Sequence, residues 1–508
     1  MIYLDMARGA IRSGPGRLLN RCWGPAYPAL IAASLRAPFS TQTTLAILHA
    51  ALLIAAMAAF LVFLRRVLAN IESGARRSLV LSLCAVFFLW GTMSNTPGVR
   101  YPDPDLCTFI LIVAAASIVV RMYSRPMTSW WPYVALGVVL GLGYYVKQAM
   151  LPVDGLLLAI LFALPSHSPR FRSRVVVAAA VFIATCTPFA AWLSSAAGHL
   201  TFSENGRLNY LWHVENIPMV PFDASSYRAY LASKPRRTPD VLLSEPLVIG
   251  FGDAEGTYPL IYDPARWFEG VQPHFELRRQ VRSVIDNCRG TAVYLLSFRA
   301  VWLGLLVLFL VRSRDAGSVP VVPARIVLIV WCIATCAALH LVHVEARYLL
   351  PFLCILLAIG YASVAHKLES TGFRVLMLTV IAVVAIPNTA DIVALKSALH
   401  EQIVGGPEYL RIAGELRAQG LKSGGRIAVV GFGSDAYYAS VLGAQVAAQI
   451  PDEGSFSRLT GAEMDRVRAA LLKEGVSFLV VPGKPAGPPS LATGLAQPGT
   501  PWRVIRLN

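Results

Sequence analysis

Charge is what this sequence has least of. Only 15% of its 508 residues are Asp, Glu, Lys or Arg, against about 25% in soluble domains. With 56% hydrophobic residues and a mean hydropathy of +0.56, a soluble globular fold is excluded and a multi-spanning membrane protein is indicated. Acids are scarcer than bases, 29 against 45, which leaves a net charge of +16. In a soluble protein that excess would suggest nucleic acid; here it reads as topology, and no nucleic-acid partner is expected. The 8 cysteines are scattered, without a C-x-x-C pair, so no cysteine motif for metal or redox chemistry is present. Cys22 and Cys288 fall in predicted external segments, where a disulfide is chemically allowed. The first residues, Met1-Ile-Tyr-Leu-Asp-Met-Ala-Arg8, lack the basic start and apolar core of a secretory signal. No repeat relates the two halves, which argues against a transporter built from paired repeats.

What is present is a series of apolar runs near 43–64, 78–94, 105–120, 130–146, 148–164, 174–195, 291–311, 324–342, 347–365 and 373–391. They predict an α-helical polytopic membrane protein of about ten spans. Residues 1–40 mix apolar and charged side chains and read as a first external loop with helices lying at the interface. The membrane module then covers 41–392, with a long external loop at 196–290. Residues 393–508 read as a small α/β domain: strands at 426–430, 477–481 and 502–507, and helices at 407–419 and 461–474. Arg65, Arg66, Arg76 and Arg77, with Arg121, Arg125, Arg170, Arg172, Arg174, Arg312, Arg314, Arg325, Lys367 and Arg374, fill the short loops on one side. They mark the cytoplasm, so the remaining loops and the tail face outward. In a bacterium that is the periplasmic face of the inner membrane. Gly431-Phe-Gly-Ser-Asp-Ala436 loosely matches a dinucleotide fingerprint, but no acidic residue follows at the required distance and the segment is predicted to be external, so a tight strand-to-helix turn is the reading adopted.

The polar break Asn95-Thr-Pro-Gly-Val-Arg-Tyr-Pro-Asp-Pro-Asp105 separates two of the runs. Its alternating prolines and carboxylates are not a helix interior. A solvated loop with Asp105 as the N-cap of the next helix is the plain reading. The sharper one is the floor of an active site, built from Asp103 and Asp105 with Arg100 and Tyr101 beside them. Other external polar residues converge toward it: Asp5, Lys147 between two spans, and His343, Glu345 and Arg347 before a late span. Ionisable groups at membrane depth are costly and mark function; snorkelling is the alternative for Lys147. Carboxylates and cations at a lipid–water boundary suit transfer of a sugar from a polyprenyl phosphate. Cations would stabilise the phosphate leaving group, and a carboxylate would take the acceptor's proton. Aromatic and polar side chains of the long loop, Trp212, His213 and Tyr258 among them, are of the kind that stack on sugars.

The order of Tyr3-Leu-Asp-Met-Ala7, Trp23-Gly-Pro-Ala-Tyr-Pro28, a Pro-Asp, Gly141-Leu-Gly-Tyr-Tyr-Val-Lys147 and Arg347-Tyr-Leu-Leu-Pro351 resembles the GT-C glycosyltransferases. The likeness is to the branch similar to aminoarabinose transferases and protein mannosyltransferases, over about residues 1–390. It implies an inverting transfer at the periplasmic face from a polyprenyl-phosphate sugar to an external glycan, lipid or protein. It also implies that Lys147 and Arg347 meet the donor phosphate; Arg100 and His343, external polar residues near them, are further candidates for that contact. Tyr3, Tyr101, Glu345, Trp212, His213 and Tyr258 are the acceptor or sugar candidates, and Asp5, Asp103 and Asp105 the catalytic ones. The Pro-Asp matches either Pro102-Asp103 or Pro104-Asp105. The resemblance places a base a few residues before Tyr3, where this sequence has none; a further transmembrane helix ahead of Met1 is therefore expected. No cofactor is certain, and no ligand cluster requires a metal, though Asp103 and Asp105 are of the type that could contribute to a divalent site. Two other readings stand beside this one: an inactive relative that binds glycolipid, and a transporter of lipid-linked sugars.

Overall fold

The computed structural model describes residues 1–69, 71, 74–95, 103–124, 129–164, 170–221, 223–297, 323–364, 408–433, 436–481 and 502–507. The first helices are α1 (Ile2–Ser13), α2 (Ala26–Ser34), α3 (Thr41–Val67), α4 (Gly74–Asn95) and α5 (Asp105–Ser124). They are followed by α6 (Trp131–Val146), α7 (Met150–Ala163), α8 (Phe171–Ala197), α9 (Asn205–His213) and α10 (Ala224–Ala232). Then come the single turns α11 (Pro259–Tyr262) and α12 (Pro264–Trp267), and α13 (Leu277–Ser297), α14 (Pro323–His340) and α15 (Ala346–Val364). The tail carries α16 (Glu408–Ala418), α17 (Tyr437–Leu442), α18 (Glu453–Phe456) and α19 (Gly461–Lys473). The chain forms two compact units: 1–22 with 210–274 and 395–508, and 23–209 with 275–394.

The second unit is the helical one. Among the described residues five helices are long and apolar enough to cross a membrane: α3, α5, α8, α14 and α15. Helices α6 and α7 and the middle of α4 are shorter apolar segments. Each predicted run from 43 to 195 holds a helix, as do the run at 324–342, as far as His340, and the run that begins at 347, as far as Val364. The run at 373–391 and most of 291–311 lie outside the described residues. Two spans are interior: 67% of the apolar stretch is buried in both α5 and α15, against 22% in α3 and 28% in α8. Helices α6 and α8 meet through small residues. A Cβ on Gly137 would overlap the Ala178 carbonyl, and one on Gly141 would lie 2.5 Å from Thr185 Cβ. Close backbone approach of this kind is how membrane helices gain packing. Ser40 starts α3 by accepting the Thr43 amide at 3.2 Å, and Arg65 and Arg66 end it, each group complementing the helix dipole at its end.

The first unit is α/β. Its six-stranded sheet has the order β1-β2-β4-β3-β5-β6, with β1 (Asp240–Ser244), β2 (Leu247–Gly250), β3 (Arg426–Val430), β4 (Gln445–Ile450), β5 (Phe478–Val481) and β6 (Arg503–Arg506). The tail strands β4, β3 and β5 are parallel. The hairpin β1–β2 from the long loop joins them antiparallel through β4. Val248, Val430, Ile450, Val467, Leu471 and Leu479 form part of one apolar core beneath this sheet. Thr460 and Glu463 close a reciprocal capping box at the start of α19. All eight cysteines are free thiols: Cys22 is buried and Cys288 exposed, so the Cys22–Cys288 bridge is not formed.

Candidate functional site

The site lies in the helical unit, where the two interior spans begin. Asp103-Pro104-Asp105 turns into α5, since a proline at 104 keeps the residue before it out of the helix. Asp103 Oδ1 accepts the Asp105 amide at 2.7 Å. Asp103 is therefore the capping residue, and the expected N-cap role of Asp105 is corrected. Asp105 instead occupies the first turn of α5, where the helix dipole favours negative charge.

Lys147 ends α6 by turning extended, with φ −149°. Its Nζ lies 2.8 Å from Asp105 Oδ1 and 3.8 Å from the centre of the Tyr348 ring. Trp23-Gly24-Pro25 crosses the end of α6 so closely that a Cβ at Gly24 would overlap the Tyr145 and Val146 carbonyls. Arg347, in the first turn of α15, pairs with Asp103 and with Glu345, and its Nη1 is 3.4 Å from Asp105 Oδ2. Glu345 also meets His343 Nε2 at 3.1 Å and the Tyr348 hydroxyl at 3.3 Å. The side chains of Asp103 and Asp105 are 11% and 10% exposed. Charges so shielded must be paired.

Burial, then the neighbouring Asp105 charge, pushes the Asp103 carboxyl up to about 7, against the pull of Arg347 and Lys147. Burial alone would raise Glu345, but the His343 hydrogen bond and the Arg347 charge hold it well below the usual carboxylate range. Burial alone would lower Lys147, but Asp105, Tyr348 and Asp103 outweigh it and raise it. With Asp103 protonated, Asp105 and Glu345 balance Lys147 and Arg347; its ionisation adds one negative charge. Asp105 Oδ2 is buried and accepts no hydrogen bond.

Tyr27, Tyr348 and His49 were not among the site residues expected from the sequence. The Tyr27 hydroxyl is hydrogen-bonded to the Asp103 backbone and, at 2.6 Å, to His49 Nε2. Tyr27 and Tyr348 both stand inside the quoted motifs, which was the available signal; nothing in the sequence pairs His49 with them.

The other predicted residues are placed elsewhere. Asp5 belongs to the α/β unit, where its carboxylate accepts the Thr257 amide at 2.9 Å, the Thr257 hydroxyl at 2.7 Å and the Ser440 hydroxyl at 3.1 Å. Burial raises its pKa in spite of the N-terminal amine and these bonds. Tyr3 is half-buried on the same helix. Trp212 stacks edge-on against Phe268, and His213 ends α9 beside it. Tyr258 is only 1% exposed and its hydroxyl donates to Gln449 Oε1 at 2.6 Å. Its ring therefore has no free face for a sugar, which corrects that expectation. Arg100 and Tyr101 lie outside the described residues. Gly433 of the glycine-rich turn is the surface on which the Tyr258 ring rests, so the space a phosphate would take there is filled. Among the described residues no three His, Cys, Asp or Glu side chains are grouped to hold a metal ion; Asp103 and Asp105 face cations of the protein instead.

Fold and site together define a multi-pass membrane protein with a buried charge network at one end of its interior helices. No protein-family model and no curated protein matches the sequence. Among solved structures, the oligosaccharyltransferase of Archaeoglobus fulgidus is similar at 12% identity and a TM-score of 0.49, over 95% of this chain and 63% of that one. This chain thus spans less than two thirds of that protein. ArnT from Cupriavidus metallidurans is similar over 94% of this chain and 87% of that one, with a TM-score of 0.39. The identity is 14% for its apo state and 13% for its complex with undecaprenyl phosphate.

Proposed function

We propose that this chain is a membrane glycosyltransferase of the GT-C type, which moves a sugar from a polyprenyl-phosphate carrier to an acceptor hydroxyl. The observation that carries this reading is the meeting of Asp103, Asp105, Lys147 and Arg347, drawn from three distant stretches, at the start of two interior spans. The carboxylates hold the two cations in place until the donor arrives. The donor phosphate then takes over Lys147 and Arg347, and its lipid tail stays among the apolar helices. The acceptor oxygen attacks the anomeric carbon from the side opposite the phosphate. Its proton passes to the released carboxylate, the new C–O bond forms, and the old bond breaks with its electron pair leaving on the phosphate. Configuration inverts. Asp103 is our choice of base, because a carboxyl titrating near neutrality is matched to that task. Lys147 and Arg347 stabilise the charge that grows on the leaving group. The arginine-rich loops support an outward-facing site, where a lipid-linked donor makes a nucleotide unnecessary.

The test is turnover of a labelled polyprenyl-phosphate sugar by the purified protein in vesicles, read as release of polyprenyl phosphate. Lys147→Ala and Asp103→Asn are each expected to lower the rate by roughly a hundredfold or more, with the protein still folded in detergent. Unchanged transfer by both variants removes this site from the reaction. Donor binding without release by the unaltered chain makes it a glycolipid-binding protein instead.

A further inference from the structure

Helix α13 is built the wrong way round for a helix of a soluble domain. Its packed face is polar. Gln280 donates to the Leu341 carbonyl, Ser283 to that of Val342 at 3.2 Å, and Asn287 to that of His340 at 3.0 Å. Thr291 meets His340 Nε2 at 2.9 Å. These side chains satisfy the carbonyls at and just beyond the end of α14, which would otherwise lack partners. The outward face is apolar: Leu277, Val281, Ile285, Cys288, Ala292 and Leu296 recur at intervals of three and four and fall on one stripe. Leu277 is 66% exposed and Leu296 61%. Beside this stripe runs a basic band of Arg278, Arg282 and Arg289, whose one carboxylate neighbour on the helix, Asp286, lies 3.9 Å from Arg282 and 3.5 Å from Arg289. An apolar stripe flanked by arginines is the pattern of a helix lying in a membrane surface.

We propose that α13, up to the start of the predicted 291–311 span, lies in the membrane–water interface, with Leu277, Val281, Ile285 and Cys288 among acyl chains and Arg278, Arg282 and Arg289 on anionic lipid headgroups. Charge complementarity selects this occupant. A zwitterionic lipid satisfies the stripe but offers the arginines no net charge, and a protein surface would have to match both bands along the helix. Through its polar face, α13 holds residues 340–342, which directly precede the His343–Arg347 turn. The lipid surface therefore bears on the position of that turn. This holds whatever reaction the charge network performs.

Cys288 provides a native probe, since it lies on the stripe and is exposed, whereas the other cysteines are buried or half-buried. The full chain, labelled there with an environment-sensitive fluorophore, is reconstituted in mixed phosphatidylcholine and phosphatidylglycerol vesicles. One lipid or the other carries brominated chains. Bromolipid quenching is expected, and it should be several-fold stronger when the anionic lipid is brominated, because each engaged arginine enriches anionic lipid by up to roughly fivefold. Replacing Arg278, Arg282 and Arg289 together by Gln should abolish the preference and leave the quenching. Three results overturn the proposal. Quenching by aqueous iodide but not by bromolipid would put the stripe in water. Equal quenching by both bromolipids in the unaltered chain would deny the arginines their role. Energy transfer between labels at high lipid dilution would mean that a second copy covers the stripe.

Discussion

Asp103 is asked to do two things. Its Oδ1 caps the start of α5, and its other oxygen pairs with Arg347. Asparagine preserves the first role and removes the charge needed for the second, so Asp103→Asn isolates chemistry from folding. Burial and Asp105 raise its pKa to about 7, so the basic form is present above that pH and lost below it. As general base it predicts kcat/KM that is flat at high pH and falls about tenfold per unit below roughly pH 7. A profile with no inflection between about pH 5 and 9 would exclude Asp103 as the base. The charged members of the site were legible because ionisable groups stand out against apolar runs. Their partners were not. Nothing in the spacing says that Lys147 faces Asp105 while Arg347 reaches Asp103, or that Tyr27 lies under the Asp103 backbone. Tyr258 was misread because an aromatic residue in a polar loop looks the same whether it lines a surface or, as here, plugs a core.

At the scale of elements, membrane helices were legible wherever hydropathy alone decides. The Met150–Ala163 helix emerged despite its single carboxylate, Asp154, because the other side chains are overwhelmingly apolar. The sheet was legible only in part. Tail strands β3, β5 and β6 carry clear apolar patterns. The β1–β2 hairpin is short, interrupted by Pro246, and gains its place only by pairing with β4, a contact about 200 residues away in sequence. Helix packing was not legible at all, since small residues mean close contact only once the facing helix is known. Gly137 and Gly155 separate the two cases. A Cβ at Gly137 meets the Ala178 carbonyl and Val181, whereas one at Gly155 meets nothing within 4 Å. Gly137→Ala is expected to destabilise by about 1–3 kcal/mol through overpacking. Gly155→Ala should be neutral or stabilising by up to about 1 kcal/mol. Thermal melting in detergent measures both. Equal effects would mean that α6 and α8 are not in contact through this stripe.

For the whole molecule the main lesson is that the two units are not consecutive stretches of chain. The α/β unit takes its first helix from the N-terminal residues, its hairpin from the long loop, and its remaining strands from the tail. A linear reading divides these among three regions, because composition changes along the sequence while the fold is assembled across it. Asp5 shows the consequence. Read linearly, it is an acid near a membrane surface and a candidate base. In the fold it joins α1 to two other segments of the α/β unit, through Thr257 and Ser440, and Arg8 adds bonds to the carbonyls of Ser440 and Val441. A group with that set of partners is a fastener. Asp5→Ala leaves the Thr257 amide and two hydroxyls without their acceptor, so it should lower stability by roughly 1–3 kcal/mol. Turnover per folded molecule and its pH profile should stay as they were. Scanning calorimetry with turnover, both on the Asp5→Ala protein, decides between the two roles. A lower melting temperature with normal turnover makes Asp5 a fastener, and lost turnover at an unchanged melting temperature makes it the base and moves the chemistry away from Asp103.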